Sequence, residues 1–335
     1  MASDDEPADE GEAGATLSEQ PAPGGFVADP ELCGRFVAWF AAARAGRVDR
    51  ASAVAAIEAG SDGHVVTGWS DGDRSFEVVQ IPDVGTPLAE LLLPDVFARL
   101  LDTGVRRASL VLPVTGDPLG LTGAGAFSVA AIAAETGVLL VTDRARLGLV
   151  PTPDRRGSSY RGWRWRMYVE PITPFLQPTV TADFAPVGDL PPVEPQRVVE
   201  QADRALSRAL RDATDELAAL DLAHWRPEVA VGRKAAEVAL RAAGQRMPAG
   251  WPPPARALAE RALMLWHIVR VARSDAGAAS ASGSQARSEA LRILSHAIRE
   301  AAMIAYNVPV LELPLVRRAD APEPDSAASA RRPPG

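Results

Sequence analysis

The strongest constraint on the fold lies between residues 108 and 141. Two short aliphatic runs, 110–112 and 138–141, flank a glycine-rich loop and an alanine-rich segment. Leucine and β-branched runs of that length, bounded by turn residues, read as buried strands, and the alanine-rich segment 124–134 reads as a helix. A strand, loop, helix, strand order of this kind builds a sheet, and its loop is a common place for a ligand.

Neighbouring segments add to that sheet. Residues 163–169 alternate strictly, placing Trp163, Trp165, Met167 and Val169 on one face and Arg164, Arg166 and Tyr168 on the other, the pattern of a half-buried strand. Upstream, Val65-Val66 and residues 76–81 flank Ser70-Asp71-Gly72-Asp73, a hairpin signal because Asp-Gly accepts positive φ angles. Two helices precede it. Asp29-Pro30 opens the first, which carries Leu32, Phe36, Val37 and Phe40 at helical spacing, Cys33 on its buried face and Gly46 as a stop; the second spans about 49–59. Thr86-Pro87 opens a further helix reaching about residue 102, which Pro94 is expected to kink or split.

Beyond residue 195 the periodicity is helical. Val199, Ala202, Leu206, Leu210, Ala213, Leu217 and Leu220 recur at spacings of three and four, the stripe of a helix with one buried face. Further helices are expected up to Gly244, from 252 to about 273, and from about 285 to 306, and a four-helix bundle is their economical arrangement. Prolines at 171, 174, 178, 186, 191, 192 and 195 forbid a regular helix between sheet and bundle. The expected organisation is therefore an acidic disordered tail over 1–26, an α+β domain over 27–170 with a mixed β-sheet packed by helices, a proline-rich linker over 171–195, a helical bundle over 196–309 and a disordered tail over 310–335.

Charge and composition narrow the function. At 335 residues and 47% hydrophobic, the chain can bury a large core. Its net charge of −8 disfavours general binding to nucleic acid, which needs a broadly basic surface. The single cysteine, Cys33, allows neither an intramolecular disulfide nor a thiolate metal cluster, and without a charged-then-apolar leader the chain reads as cytoplasmic. The apolar run 124–134 is interrupted by Ser128, stopped by Glu135, and well short of the roughly 20 residues a spanning helix needs, so no membrane partner is expected. Residues 1–25 carry seven acidic and no basic side chains, whereas 196–309 hold 16 basic and 12 acidic ones. An acidic tail tethered to a mildly basic bundle can compete for its partner or bind one of its own, a regulatory logic that catalysis does not need; the alternative is that the tail only keeps the protein soluble.

The segments LVLPVTGDPLGL (110–121), RALRDATDELAALDLAHWRPE (208–228) and PPPARALAERALMLWHIVRVA (252–272) resemble a group of uncharacterised actinobacterial proteins. The similarity covers roughly residues 86–305. It implies one architecture shared across both domains and, since no activity is attached to the group, it transfers no function.

The residues themselves offer one candidate site and several refusals. The loop 115–125, with Gly116, Asp117, Gly120, Gly123 and Gly125, could present backbone N–H groups to a phosphate or carboxylate, assisted by Arg144, Arg164 or Arg166. It lacks the Gly-Lys-Ser/Thr of a P-loop and the third glycine of a dinucleotide fingerprint. Its plain reading is a turn at Gly116-Asp117-Pro118, where asparagine would serve as well as aspartate, followed by glycines that allow close helix packing. The arginines that interleave with Tyr160, Trp163, Trp165 and Tyr168 could grip an anionic ligand or a single strand, yet alternation turns the tryptophans into the core. His296 and Glu300 share a helix face that could approach His267, but the spacing matches no standard zinc motif. No serine sits in a nucleophile elbow. The expectation is a non-catalytic cytoplasmic binding or regulatory protein with a protein partner and no cofactor; the alternative is an enzyme or sensor that binds a small anion at the 115–125 loop.

Overall fold

The computed structural model describes residues 30–68, 90–121, 123–142, 145–154, 159–171, 195–219, 247–274 and 281–307. The expected hairpin turn at 70–73, the linker, the second bundle helix, both tails and Arg144 lie outside these residues. Within them the chain is α+β: a mixed six-stranded sheet in the N-terminal part, covered by helices, and long helices in the C-terminal part. No helix among the described residues is long and apolar enough to cross a membrane.

Helix α1 (Pro30–Arg44) starts with proline in its first turn, where the missing N–H costs nothing. It is buried along most of its length, Cys33 included, so it is a central helix with no solvent face. Phe36 and Phe40 stack at 5.9 Å, and Phe36 lies 5.5 Å from the ring of Trp165 in the sheet. Asp49 caps α2 (Arg50–Glu58), its carboxylate accepting from the Ser52 backbone N–H and hydroxyl at 2.7 Å each. Those bonds hold the Asp49 carboxyl below its ordinary range.

Strands β1 (Gly63–Gly68), β2 (Leu91–Leu92), β3 (Arg107–Val111), β4 (Gly137–Val141), β5 (Ala145–Asp154) and β6 (Gly162–Pro171) assemble in the order β2-β1-β6-β5-β4-β3. Only β1 and β6 are parallel. The central motif closes as an antiparallel pair, β3 beside β4, with α4 (Ala126–Ala134) carried in their connection. Strand β5 is not visible in the sequence, because Pro151 and Pro153 break its β pattern. The register explains their tolerance: β4 pairs with β5 only along residues 146–149, and both prolines lie past that pairing, with β6 alone beside them. Helix α3 (Leu93–Asp102) corrects another expectation. Pro94 is in its first turn and neither kinks nor splits it.

The alternation of β6 sends its two faces into two cores. Trp165 and Met167 join a large cluster with α1 and α3, which Trp163 and Val169 flank, whereas Tyr168 packs into a smaller one with Val111, Phe127, Ala131, Leu139 and Val150 beneath α4. The large cluster does not stop at the sheet. It runs on through Leu206 of α5 (Pro195–Ala219), Leu258 and Leu263 of α6 (Pro253–Ser274) and Leu294, Ile298 and Tyr306 of α7 (Ala281–Asn307). One apolar core therefore joins the sheet to the C-terminal helices.

A polar chain crosses that core at one point. Trp165 Nε1 donates to Nδ1 of buried His64 at 3.2 Å, His64 Nε2 meets the Ser61 hydroxyl at 2.9 Å, and that hydroxyl donates to the Glu58 carbonyl at 2.6 Å. Accepting at Nδ1 assigns the proton to Nε2, so the neutral ring is fully satisfied. Burial first, and the Arg35 charge second, push the His64 pKa down to about 4. The unfolded chain thus takes a proton near pH 6.5 that the folded chain refuses. Stability should fall by up to roughly 3 kcal/mol between pH 6.5 and 4. Urea denaturation across that range should show this loss, and His64→Gln, which cannot titrate, should flatten it.

A second expected outcome concerns the helix contact that closes the core. A Cβ on Gly34 would lie 2.5 Å from Cζ of Tyr306, so the ring of α7 rests directly on the backbone of α1. Inside a helix, alanine is ordinarily better than glycine by about 1 kcal/mol. Here overpacking at about 1–3 kcal/mol should win, making Gly34→Ala destabilising. Truncating the ring with Tyr306→Ala should reverse that sign in the double mutant.

Candidate functional site

After β3 the chain makes a tight turn. Val114 and Asp117 exchange backbone hydrogen bonds, each 2.9 Å, around Thr115-Gly116, and Gly116 takes φ +82° at the third turn position. The turn aims Asp117 at α7, where one oxygen, Oδ2, receives Arg299 Nη2 at 2.6 Å and His296 Nδ1 at 2.6 Å. The other guanidinium end, Nη1, donates to the Leu112 carbonyl at 2.7 Å. Farther along the same helix face, the Asn307 amide pairs with Leu110, accepting its N–H at 2.7 Å and donating to its carbonyl at 3.0 Å. Positions 296, 299, 303 and 307 follow helical spacing, so one face of α7 lies along the edge of β3. Gly120 belongs to this contact too, with φ +84° and room for no Cβ beside Met303.

Burial alone would raise the Asp117 pKa, but the His296 and Arg299 hydrogen bonds and charges outweigh it and hold the carboxyl below its ordinary range. The loop thus carries its own anion, already neutralised. Gly123 has open space around it, whereas a Cβ on Gly125 would meet the Glu170 carboxylate at 2.0 Å. The helix N-terminus expected to receive a ligand therefore has a carboxylate of the chain against it.

Arg164 and Arg166 face elsewhere. With Tyr168 they line an open cleft of about 560 Å³ where the C-terminal half of α4 meets β1, β5 and β6. Ala130, Ala133, Ala134, Val150 and Pro151 make its apolar wall, and Thr67 and Thr152 add hydroxyls that donate to backbone carbonyls at 3.4 and 3.2 Å. Its position depends on Phe127. That ring lies flat against the backbone of β5, close enough that a Cβ on Gly148 would fall 2.0 Å from it, which pins α4 to the sheet. Arg164 is paired with Glu90 and lies 3.7 Å from Asp154. The exposed Arg166 guanidinium sits 5.7 Å from the Tyr168 ring, with no carboxylate in salt-bridge reach among the described residues. Burial raises the Tyr168 pKa, against the pull of Arg166, so the phenol is neutral at pH 7 and the cleft stays cationic.

The candidate residues thus fall into two groups: Gly116, Asp117 and Gly120 against α7, and Arg164 and Arg166 in the cleft. Gly123 and Gly125 lead into α4. Sequence reasoning missed Arg299 and Asn307, since their partners are almost 200 residues away. It noticed His296 but paired it with Glu300 and His267. The structure gives His296 to Asp117 and sets His267 edge-on to Trp266 at 5.0 Å, and among the described residues no three His, Cys, Asp or Glu side chains are placed to hold a metal.

Family models for the N-terminal and the C-terminal domain of Rv1486c-like proteins match residues 33–180 and 200–303. No curated protein and no solved structure matches the chain.

Asp117 is more than a turn residue, so the expectation that asparagine would replace it freely is corrected. Asp117→Asn leaves the guanidinium of Arg299, itself 4% exposed, without its counter-charge. A buried pair broken on one side costs about 3–5 kcal/mol, and the partial exposure of Asp117 lowers that to about 1–3. Because the folded carboxyl has the lower pKa, this stabilisation is present above pH 4 and is lost as pH falls through the folded value. Thermal melts of the wild type and Asp117→Asn should converge on acidification.

Proposed function

We propose that this chain, which belongs to the Rv1486c-like family through both of its domains, is a non-catalytic binding protein of the cytoplasm, and that its ligand is an anion with an apolar body held in the cleft beside α4. The observation that carries the reading is the cleft's lining. It sets two guanidinium groups against an apolar wall of alanine, valine and proline, and among the described residues no carboxylate, histidine or cysteine lines it. Such a surface can hold and orient a ligand, while its hydroxyls have no base beside them among the lining residues: Thr67 and Thr152 donate to backbone carbonyls and the Tyr168 phenol is neutral at pH 7. The volume suits a ligand much larger than inorganic phosphate. The 115–125 loop is the weaker place for an anion, since Asp117 already occupies its cationic partners.

An anionic aromatic dye, 8-anilinonaphthalene-1-sulfonate, combines both required features and reports binding by fluorescence. The native chain should bind it, Arg166→Ala should weaken binding about 5- to 20-fold through loss of a charge-assisted contact, and Ala133→Trp should fill the cleft and abolish it. Unchanged affinity in both variants, with melting temperatures intact, would exclude the cleft as the site.

A further inference from the structure

We infer that the acidic N-terminal segment of the chain itself, residues 1–29, competes with the ligand for the cleft at Arg166. This rests on the binding reading above and adds a regulator to the same site. Three observations converge. The segment carries Asp4, Asp5, Glu6, Asp9, Glu10, Glu12, Glu19 and Asp29 with no lysine, arginine or histidine, and it punctuates them with apolar Leu17, Phe26 and Val27. The cleft presents the complementary pair of features, cationic at Arg164 and Arg166 and apolar along α4, a helix without a single charged residue and with Val129 67% exposed. The guanidinium of Arg166 has an aromatic ring but no carboxylate beside it among the described residues.

Tethering makes weak complementarity sufficient. The segment joins the fold at Pro30, the start of α1, whose side chains pack against the opposite face of the sheet from α4. From Pro30 back to Glu12 the chain can extend about 60 Å. A folded chain of this length has a radius of gyration of only about 20 Å. That span is long enough to bring the acidic run to the other face of the sheet, where a tether that short would give an effective concentration on the order of millimolar. Exposed ion pairs are individually weak, yet at that concentration a millimolar affinity keeps the cleft occupied about half the time. A ligand must then displace the segment, and its apparent affinity falls in proportion to the free fraction.

The experiment compares dye binding by two full-length chains, the native one and a variant in which Asp4, Asp5 and Asp9→Asn and Glu6, Glu10, Glu12 and Glu19→Gln remove seven of the eight acidic charges. The variant should bind 8-anilinonaphthalene-1-sulfonate about 2- to 10-fold more tightly at low ionic strength, and salt should shrink the difference as it screens the segment. A synthetic peptide of residues 1–29, labelled with fluorescein and followed by anisotropy, should bind the neutralised variant and be displaced by the dye, and Arg166→Ala should abolish that binding. Equal dye affinity in the two chains, or a bound peptide that the dye does not displace, would overturn the inference while leaving the cleft as a ligand site. Dye binding that ignores Arg166→Ala and Ala133→Trp in both chains would overturn both.

Discussion

The contact between α7 and the edge of β3 is the constraint on which the rest of the structure depends. An edge strand exposes unpaired N–H and C=O groups that must be covered or paired. Here the cover is a helix, and its side chains supply what a neighbouring strand would. The Asn307 amide imitates a peptide group toward Leu110, and Arg299 takes the Leu112 carbonyl while meeting the charge of Asp117. Such buried polar groups add modest net energy, but leaving any one unpaired is costly, so they specify the docking register more than they strengthen it. Once α7 is placed, Tyr306 seats on Gly34 and the core closes across both parts of the chain.

The large core lies on one face of the sheet, and among the described residues the other face is packed by the nine-residue helix α4. Helix α4 is short, uncharged and held mainly by Phe127 over the glycine backbones of β4 and β5, so it covers only the middle of that face. Beside its C-terminal half lie the last residues of β1, the second half of β5 and the stretch of β6 from Arg164 to Tyr168. The difference in length between helix and sheet is the cleft. The loop is a structural latch with its charges paired, whereas the cleft is a concave surface in which Arg166 has no carboxylate partner among the described residues.

The groups that line the cleft differ in how far they are already engaged. Tyr168 is kept neutral, the threonine hydroxyls are committed to carbonyls, and Arg164 is already engaged by carboxylates, which leaves Arg166 as the group whose energy changes most when an anion arrives.

Elements with a local signature were legible in the chain alone. The proline and capping residues of the first two helices, the aliphatic runs of β3 and β4, the alternation of β6 and the stripe of α5 each depend on neighbours within a few residues, where side-chain period and backbone chemistry act directly. The order of those elements likewise carried the α+β class, and composition carried the opposed charges of 1–25 and 196–309. What only the tertiary structure decided is everything that depends on who lies beside whom. Strand β5 was hidden because its prolines are tolerable only where β4 has ended, and Pro94 looked like a kink because nothing local shows that the helix begins beside it. Asp117 looked like an ordinary turn residue because Arg299 is 182 positions away, and no periodicity encodes a partner at that distance. Arg164 and Arg166 were picked out by type, but their cleft exists only once Phe127 has fixed α4 over part of the sheet.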